Sequence, residues 1–137
     1  MKNALKLIAV FVLIFVGLFS YVYSSTSEVR ALGNSFVHHI GANEIDQAYG
    51  MLHKSMQAKI SLPEFTQQIV RNKLNTLVSV DWTGFAIKDG VQSAHGYITL
   101  KSGVQANINL LAEKPEHEVA YSITFYRFKS INKEDEL

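Results

Sequence analysis

The chain has 137 residues, no cysteine and a formal net charge of +1, a length typical of one small domain whose fold depends on no disulfide. Thiol chemistry, zinc–thiolate sites and thioether-linked lipid anchors are therefore excluded. Acidic and basic residues are interspersed, so there is no strong positive field to attract nucleic acid, and we expect no nucleic-acid partner.

Residues 7–23 are the most apolar part of the chain, without a charge or a proline. As a helix they would span about 26 Å, close to the ~30 Å hydrocarbon core of a bilayer. The run exceeds the apolar region of a usual signal peptide, and no Ala-x-Ala follows it. We expect residues 1–24 to form an uncleaved anchor that contacts membrane lipid through 7–23, with a cleaved signal peptide as the alternative.

The basic residues around this segment predict its orientation. Lys2 and Lys6 precede it, and the first basic residue after it is Arg30. By the positive-inside rule, the short N-terminus should stay in the cytoplasm and the following domain should lie outside. For a bacterium this predicts a single-pass inner-membrane protein with a periplasmic C-terminal domain.

Three amphipathic helices are predicted next. Ser25 and Glu28 fit a capping box for the first helix, and Gly41 is a candidate C′ residue at its end. Asn43 is a candidate N-cap of the second helix, and Ser61 of the third. The three apolar stripes are Val29, Leu32, Phe36 and Ile40; Ile45, Tyr49 and Leu52; and Leu62, Phe65 and Ile69.

From residue 76 the apolar period changes to two, which predicts four strands. The expected inward side chains are Val78, Val80 and Trp82; Ala94, Ile98 and Leu100; Val104, Ala106, Ile108 and Leu110; and Val119, Tyr121, Ile123 and Phe125. Short connections predict an antiparallel sheet. The predicted fold is α+β, with three helices packed on a curved four-stranded antiparallel sheet over residues 25–128 and a charged tail over 129–137.

The turn residues predict the register of the sheet. Apolar faces match if Val80 lies opposite Ile98 and Leu100 opposite Val104, which also places Trp82 opposite Gly96. Two three-residue loops result, Lys88-Asp89-Gly90 and Lys101-Ser102-Gly103, each with glycine third as a type I turn with a G1 bulge requires. The last pair of strands would place Leu110 opposite Val119.

Two short phrases carry a family resemblance. The first is Asn43-Glu44-Ile45-Asp46-Gln47-Ala48-Tyr49 followed by Met51-Leu52, and the second is Ser61-Leu62-Pro63-Glu64-Phe65. They resemble the second helix and the start of the third helix of small bacterial NTF2-like proteins. The resemblance covers residues 29–128 and implies a cone-shaped fold. Bacterial proteins of this kind often carry an N-terminal signal or anchor, as do the longer bridging proteins of type IV secretion systems.

The predicted register brings polar side chains together on the sheet face opposite the helices. One row is Asp81, Tyr97, Asn107 and Ser122, and the other is Thr83, His95 and Asn109. A solvated face and a surface for a protein partner or a homodimer both fit this pattern. Acid–base catalysis by the Asp, Tyr and His groups is a third interpretation, but catalysis needs a pocket that excludes water.

The apolar side offers a second candidate site. Tyr49, Phe65, Trp82 and Tyr121 would line a small-molecule pocket inside the cone, or would simply form the core. Some NTF2-like enzymes, such as ketosteroid isomerases and scytalone dehydratases, act inside the cone, but their motifs are absent here. No metal-ligand spacing, Gly-x-Ser-x-Gly motif or glycine-rich phosphate loop occurs.

We therefore expect a non-enzymatic protein without cofactor or metal, acting as an accessory or assembly subunit of a bacterial envelope complex. The alternative is a small-molecule-binding or lyase/isomerase-like domain that uses the cone interior.

Overall fold

The computed structural model describes residues 2–116, 118 and 120–130, and describes residues 20–25 by their backbone alone. The helices are α1 (Lys2–Ser25), α2 (Ser27–Gly41), α3 (Ile45–Gly50), α4 (Lys54–Lys59) and α5 (Leu62–Arg71), followed by a 3-10 turn (Leu74–Thr76). The strands are β1 (Leu77–Lys88), β2 (Val91–Leu100), β3 (Gln105–Glu113) and β4 (Ser122–Ser130). The predicted α+β class is confirmed.

The four strands form one antiparallel sheet in the order β1-β2-β3-β4. Its inner face packs against the helices, and the core between them contains the predicted stripe residues Phe36, Ile40, Phe65 and Ile69, all fully buried. Each of these side chains contributes roughly 1.5–3 kcal/mol through removal from water. The helical layer and the sheet thus depend on each other for stability.

The helical half contains four α-helices after α1, one more than predicted. The additional helix, α4, buries none of its residues and so has no apolar stripe that would reveal it in the sequence. His53 precedes it, and its Nδ1 accepts a hydrogen bond from the backbone N–H of Ser55 at 3.2 Å. Ser61 caps α5 as predicted, accepting from the backbone N–H of Glu64 at 3.3 Å.

The predicted Ser25 capping box of α2 is wrong. Thr26 alone separates α1 from α2 and occupies the N-cap position without a side-chain capping bond. The first turn is instead capped from the sheet, because the Oε1 atom of Gln92 accepts from the backbone N–H of Val29 at 3.0 Å. Gln92 Nε2 donates to Glu28 Oε2 at 3.2 Å, and this bond lowers the pKa of the Glu28 carboxyl.

The end of α2 also differs from the prediction. Gly41 lies inside the helix, where a Cβ atom would come within 2.7 Å of the Leu77 carbonyl oxygen, so the glycine permits close approach of β1. Asn43 does not cap α3; it adopts a left-handed conformation with φ 62°. Its N–H donates to the Ile40 carbonyl and that of Glu44 to the His39 carbonyl, which is a Schellman motif with Asn43 at C′.

The register of the central strands is as predicted, with Val80 opposite Ile98 and Trp82 opposite Gly96. The predicted three-residue loop between β1 and β2 is wrong, because Lys88 pairs with Val91 and leaves a two-residue turn. Asp89 and Gly90 both have positive φ, 54° and 78°, as a type I′ turn requires. The difference arises at Thr83, an extra residue in β1 that shifts the register by one.

Two further bulges overturn predicted inward positions. Val78 is an extra residue near the start of β1 and is 62% exposed. Thr124 is extra in β4, so Ile123 points inward while Phe125 points outward and is 42% exposed. Leu110 pairs with Tyr126, seven residues beyond the predicted partner; Val119, that predicted partner, lies outside the described residues.

The end of β4 lies beyond the predicted domain boundary. β4 continues to Ser130, two residues into the segment assigned to the charged tail. Residues 131–137 lie outside the part of the chain that the structure describes.

Helix α1 differs from the rest of the molecule because its side chains up to Phe19 are not covered. It has 24 residues, about 36 Å of helix, and the segment Lys2–Phe19 has a mean hydropathy of 2.1 with none of its residues buried. Its large apolar side chains between Leu5 and Phe19 are 51–74% exposed. Among the described residues, α1 is the one helix long and apolar enough to cross a membrane.

Candidate interaction surface

The sheet face opposite the helices, called the outer sheet face below, carries two polar rows across all four strands. The first row is Asp81, Tyr97, Asn107 and Lys129, and the second is Gly84, His95, Asn109 and Arg127. All five residues predicted for an interaction surface, Asp81, His95, Tyr97, Asn107 and Asn109, therefore lie on this one face.

The two ends of the rows differ from the prediction. Ser122 was expected to complete the first row, but β4 pairs seven residues further along the chain than predicted, so Ser122 lies opposite Glu113 while Lys129 completes the first row and Arg127 the second. Thr83 was expected opposite His95, and the bulge in β1 puts Gly84 in that position. The first row thus ends in a lysine in place of the expected serine, and the second row gains an arginine.

A shallow depression of about 320 Å³ lies in the middle of the outer sheet face. Its lining residues are Thr83, His95, Gly96, Tyr97, Asn107, Asn109, Arg127 and Lys129. None of these carries a carboxylate, and seven of the eight side chains contain nitrogen or hydroxyl groups that donate hydrogen bonds. The depression can therefore receive an anionic or acceptor-rich group.

The floor of the depression depends on a glycine. A Cβ atom at Gly84 would overlap the imidazole of His95, so the absence of a side chain allows the ring to lie over the β1 backbone. Thr83, the bulged residue, donates from Oγ1 to the His95 carbonyl at 3.1 Å. The bulge thus helps to fix the strand that presents His95.

Charge is distributed unevenly across the outer sheet face. Asp81 lies on β1 at one edge of the sheet, while Arg127 and Lys129 lie on β4 at the other. Three strand spacings, or about 14 Å, separate the two edges. Neither Arg127 nor Lys129 has a carboxylate within 4 Å among the described residues, so the end of β4 that carries them is cationic, while Glu113 lies on the same face opposite Ser122, at the other end of β4.

The four residues predicted to line an internal ligand pocket divide into two pairs. Phe65 is fully buried, with the ring of Tyr49 at 5.6 Å and that of Tyr126 at 5.7 Å between centroids. The Tyr49 hydroxyl donates to the Ile60 carbonyl at 2.8 Å, and the Tyr126 hydroxyl donates to Gln68 Oε1 at 2.8 Å. Burial raises the pKa of Tyr126 to about 12.

Trp82 and Tyr121 belong to a second cluster of apolar side chains around Val29 and Ala94. The indole Nε1 of Trp82 donates to Asn34 Oδ1 on α2 at 2.8 Å. The polar groups of Tyr49 and Trp82 are thus used in bonds that join elements of the fold. Ligand binding by Tyr49, Phe65, Trp82 and Tyr121 stays a prediction.

Arg127 and Lys129 are the candidate site residues that sequence reasoning missed. The signal was available, because Tyr126, Arg127, Phe128 and Lys129 alternate apolar and basic side chains, the pattern of a half-buried strand. Continuing the alternation from Val119 through Ile123 hid this signal, since the bulge at Thr124 reverses the phase.

No group of three or more metal-ligating side chains occurs among the described residues. Comparisons of the chain with family models, with curated proteins and with solved structures found no match.

Proposed function

We propose that this protein is a membrane-anchored, non-enzymatic interaction domain that serves as an accessory or assembly subunit of a bacterial envelope complex. In this proposal α1 spans the inner membrane and an NTF2-like domain lies in the periplasm. The observation that carries the proposal is the outer sheet face, a broad polar surface on a domain that follows an apolar helix after one residue, Thr26.

The exposure of α1 supports the anchoring part of the proposal. Twelve large apolar side chains on a single helix, each at least half exposed, are strongly unfavourable in water and favourable in lipid. The one-residue link at Thr26 supports the proposed role as a subunit. It would hold the domain next to the membrane, where the other subunits of a membrane complex would lie.

The openness of the outer sheet face supports a binding role over a catalytic one. Asp81, His95 and Asn109 are all exposed, and acid–base chemistry gains from a site that excludes water. Asp81 pairs across the strands with Tyr97, while His95 pairs with Gly84, so the histidine lies in a different row from the other two candidate acid–base groups.

Photo-crosslinking in native membranes tests the proposal. A photoreactive amino acid at Asn107 or Asn109 should give discrete crosslinked products, because both side chains are exposed on the outer sheet face. The matched control places the same amino acid at Gln67, an exposed position on α5.

The size of the product distinguishes a second copy of the chain from another protein. The proposal would be overturned if Asn107 and Gln67 crosslinked equally. It would also be overturned if Asn107 gave no crosslink and the purified protein were a monodisperse monomer with no co-purifying protein.

A further inference from the structure

We infer that the β4 side of the outer sheet face binds an extended acidic segment of the partner protein, with carboxylates at alternate positions engaging Arg127 and Lys129. This inference rests on the proposed function, because it names the chemistry of the partner at the same surface. The two polar rows predicted from the sequence contained no cation.

The spacing of the two cations fits an extended segment. Arg127 and Lys129 are two residues apart on β4 and point to the same face, so their Cα atoms are separated by about 6.8 Å. Alternate side chains of any extended peptide repeat at the same distance. Two acidic residues at i and i+2 can therefore each meet one cation.

The surroundings favour carboxylates over neutral groups. Asn107 and Asn109 lie beside Lys129 and Arg127 on the neighbouring strand, and their amide groups add donors to those of the two cations. An arginine presents a planar fork that matches a carboxylate with two parallel hydrogen bonds. The lining of the depression contains no acidic side chain that would compete.

Asp81 limits where the acidic segment can lie. It is exposed on β1, about 14 Å from the β4 row, and repels carboxylates from that edge. A segment with two acidic residues is therefore held over β3 and β4, and does not spread across the whole face.

Phe125 predicts a third feature of the segment. It precedes Arg127 by two residues, points to the same face and is 42% exposed. An apolar side chain two positions from the first acidic residue would cover it. The preferred segment has the pattern apolar-x-acidic-x-acidic.

The position of the depression favours a peptide over lipid headgroups. Gln92 joins the sheet to Val29 in the first turn of α2, four residues after the end of α1, and His95 and Tyr97 lie three and five residues further along β2. These steps place the depression about 10–17 Å along β2 from this contact. Arg127 and Lys129 lie two strand spacings, or about 10 Å, further across the sheet on β4, so the cations are set apart from the start of α2.

The test uses the full chain in phosphatidylcholine nanodiscs and a fluorescein-labelled peptide containing Leu-Thr-Glu-Thr-Glu. Fluorescence anisotropy should show binding that weakens as sodium chloride is raised, since the contacts are between exposed charges. The same peptide with both Glu replaced by Gln should bind at least about tenfold more weakly, as expected for the loss of charge-assisted hydrogen bonds.

Variants locate the binding surface. Arg127→Gln combined with Lys129→Gln should weaken binding of the Glu peptide about tenfold or more. Lys101→Gln, which removes an exposed lysine in the turn after β2, should leave it unchanged. Trp82 fluorescence checks that each variant is folded. The salt dependence of peptide binding to the unmodified protein tests the charge contacts without any variant.

Three results would overturn the inference: equal binding of the Glu and Gln peptides, binding unaffected by the double substitution in a folded variant, and displacement of the peptide by phosphatidylglycerol vesicles. If the Glu peptide does not bind but crosslinks still form from Asn107, the inference is wrong and the proposed function is retained. If the peptide binds but no crosslinked partner exists, the proposed function fails.

Discussion

Gln92 is the residue that joins the first turn of α2 to the sheet. Its side chain is 2% exposed, and its two polar atoms bond to Val29 and Glu28. Gln92→Leu should lower the free energy of unfolding by roughly 1–3 kcal/mol, because the backbone N–H of the buried Val29 loses its partner. Denaturation in urea, followed by the fluorescence of Trp82, the single tryptophan, measures the change.

The control for Gln92 is Gln105→Leu on β3, where the glutamine is exposed. This substitution should change stability by less than about 0.5 kcal/mol. Similar losses in the two variants would contradict the role assigned to Gln92.

Tyr126 predicts a response to alkaline pH. Its pKa in the folded protein is raised to about 12 from an ordinary value of 10, because burial disfavours the phenolate. The stability from the neutral hydroxyl is complete below pH 10 and is lost as the pH rises towards 12. Tyr126→Phe should therefore be less stable than the unmodified protein at pH 8, with the difference shrinking above pH 10.

Urea midpoints of both proteins at pH 8 and pH 11 provide the measurement. The loss at pH 8 should be about 0.5–1.5 kcal/mol, from the missing hydrogen bond to Gln68. A difference that stays constant over this range would show that Tyr126 does not link stability to pH.

At the scale of elements, the pairing of β1 with β2 depends on Gly96. A Cβ atom there would overlap the Asp81 carbonyl oxygen and come within 2.8 Å of the Trp82 Cα atom. Gly96→Ala should destabilise the domain by about 1–3 kcal/mol, since the backbone of β1 must move away. Gly50→Ala is the matched control, because nothing lies within 4 Å of its Cβ position at the end of α3.

The control variant should be as stable as the unmodified protein, or more stable by about 0.4–1 kcal/mol, because alanine restricts the unfolded chain. Thermal unfolding measures both. Equal stability of the Gly96 and Gly50 variants would mean that β1 can shift without cost.

The elements also show what the sequence can predict. The alternation in β2 and β3 was interpreted correctly because these strands contain no extra residue, and their inward side chains Ile98 and Ile108 are fully buried. β1 and β4 each contain a bulged threonine, Thr83 and Thr124. A threonine does not mark a bulge as glycine marks a G1 bulge, so the period-two pattern was carried across each in the wrong phase.

The candidate site was predicted in part for the same reason. His95, Asn107 and Asn109 lie on the two unbulged strands, and their common face follows from alternation alone. The alternation of residues 126–129 was enough to place Arg127 and Lys129 on the outward face, but because they follow the bulge in β4, their positions opposite Asn109 and Asn107 required knowledge of the pairing. The capping of α2 by Gln92 was likewise beyond sequence reasoning, because the two residues that bond are 63 positions apart.

At the scale of the whole molecule, the proposed orientation can be tested directly, because the chain has no cysteine. Single substitutions Ser102→Cys, in the turn after β2, and Asn3→Cys, near the start of α1, provide two reporters. A membrane-impermeant maleimide applied to cells with a permeabilised outer membrane should label Cys at 102 and leave Cys at 3 unlabelled until lysis. The reverse pattern would place the domain in the cytoplasm.

The bond between Gln92 and Val29 also has a consequence for biosynthesis. Residues 2–41 leave the ribosome before Gln92, so the first turn of α2 acquires its cap only after the chain has been made beyond Gln92 and β2 has paired. Until then, the chain after α1 continues into a helix whose first backbone N–H groups lack this hydrogen-bond partner. The first turn of α2 is therefore fixed on the sheet late, after β2 has been made and has paired.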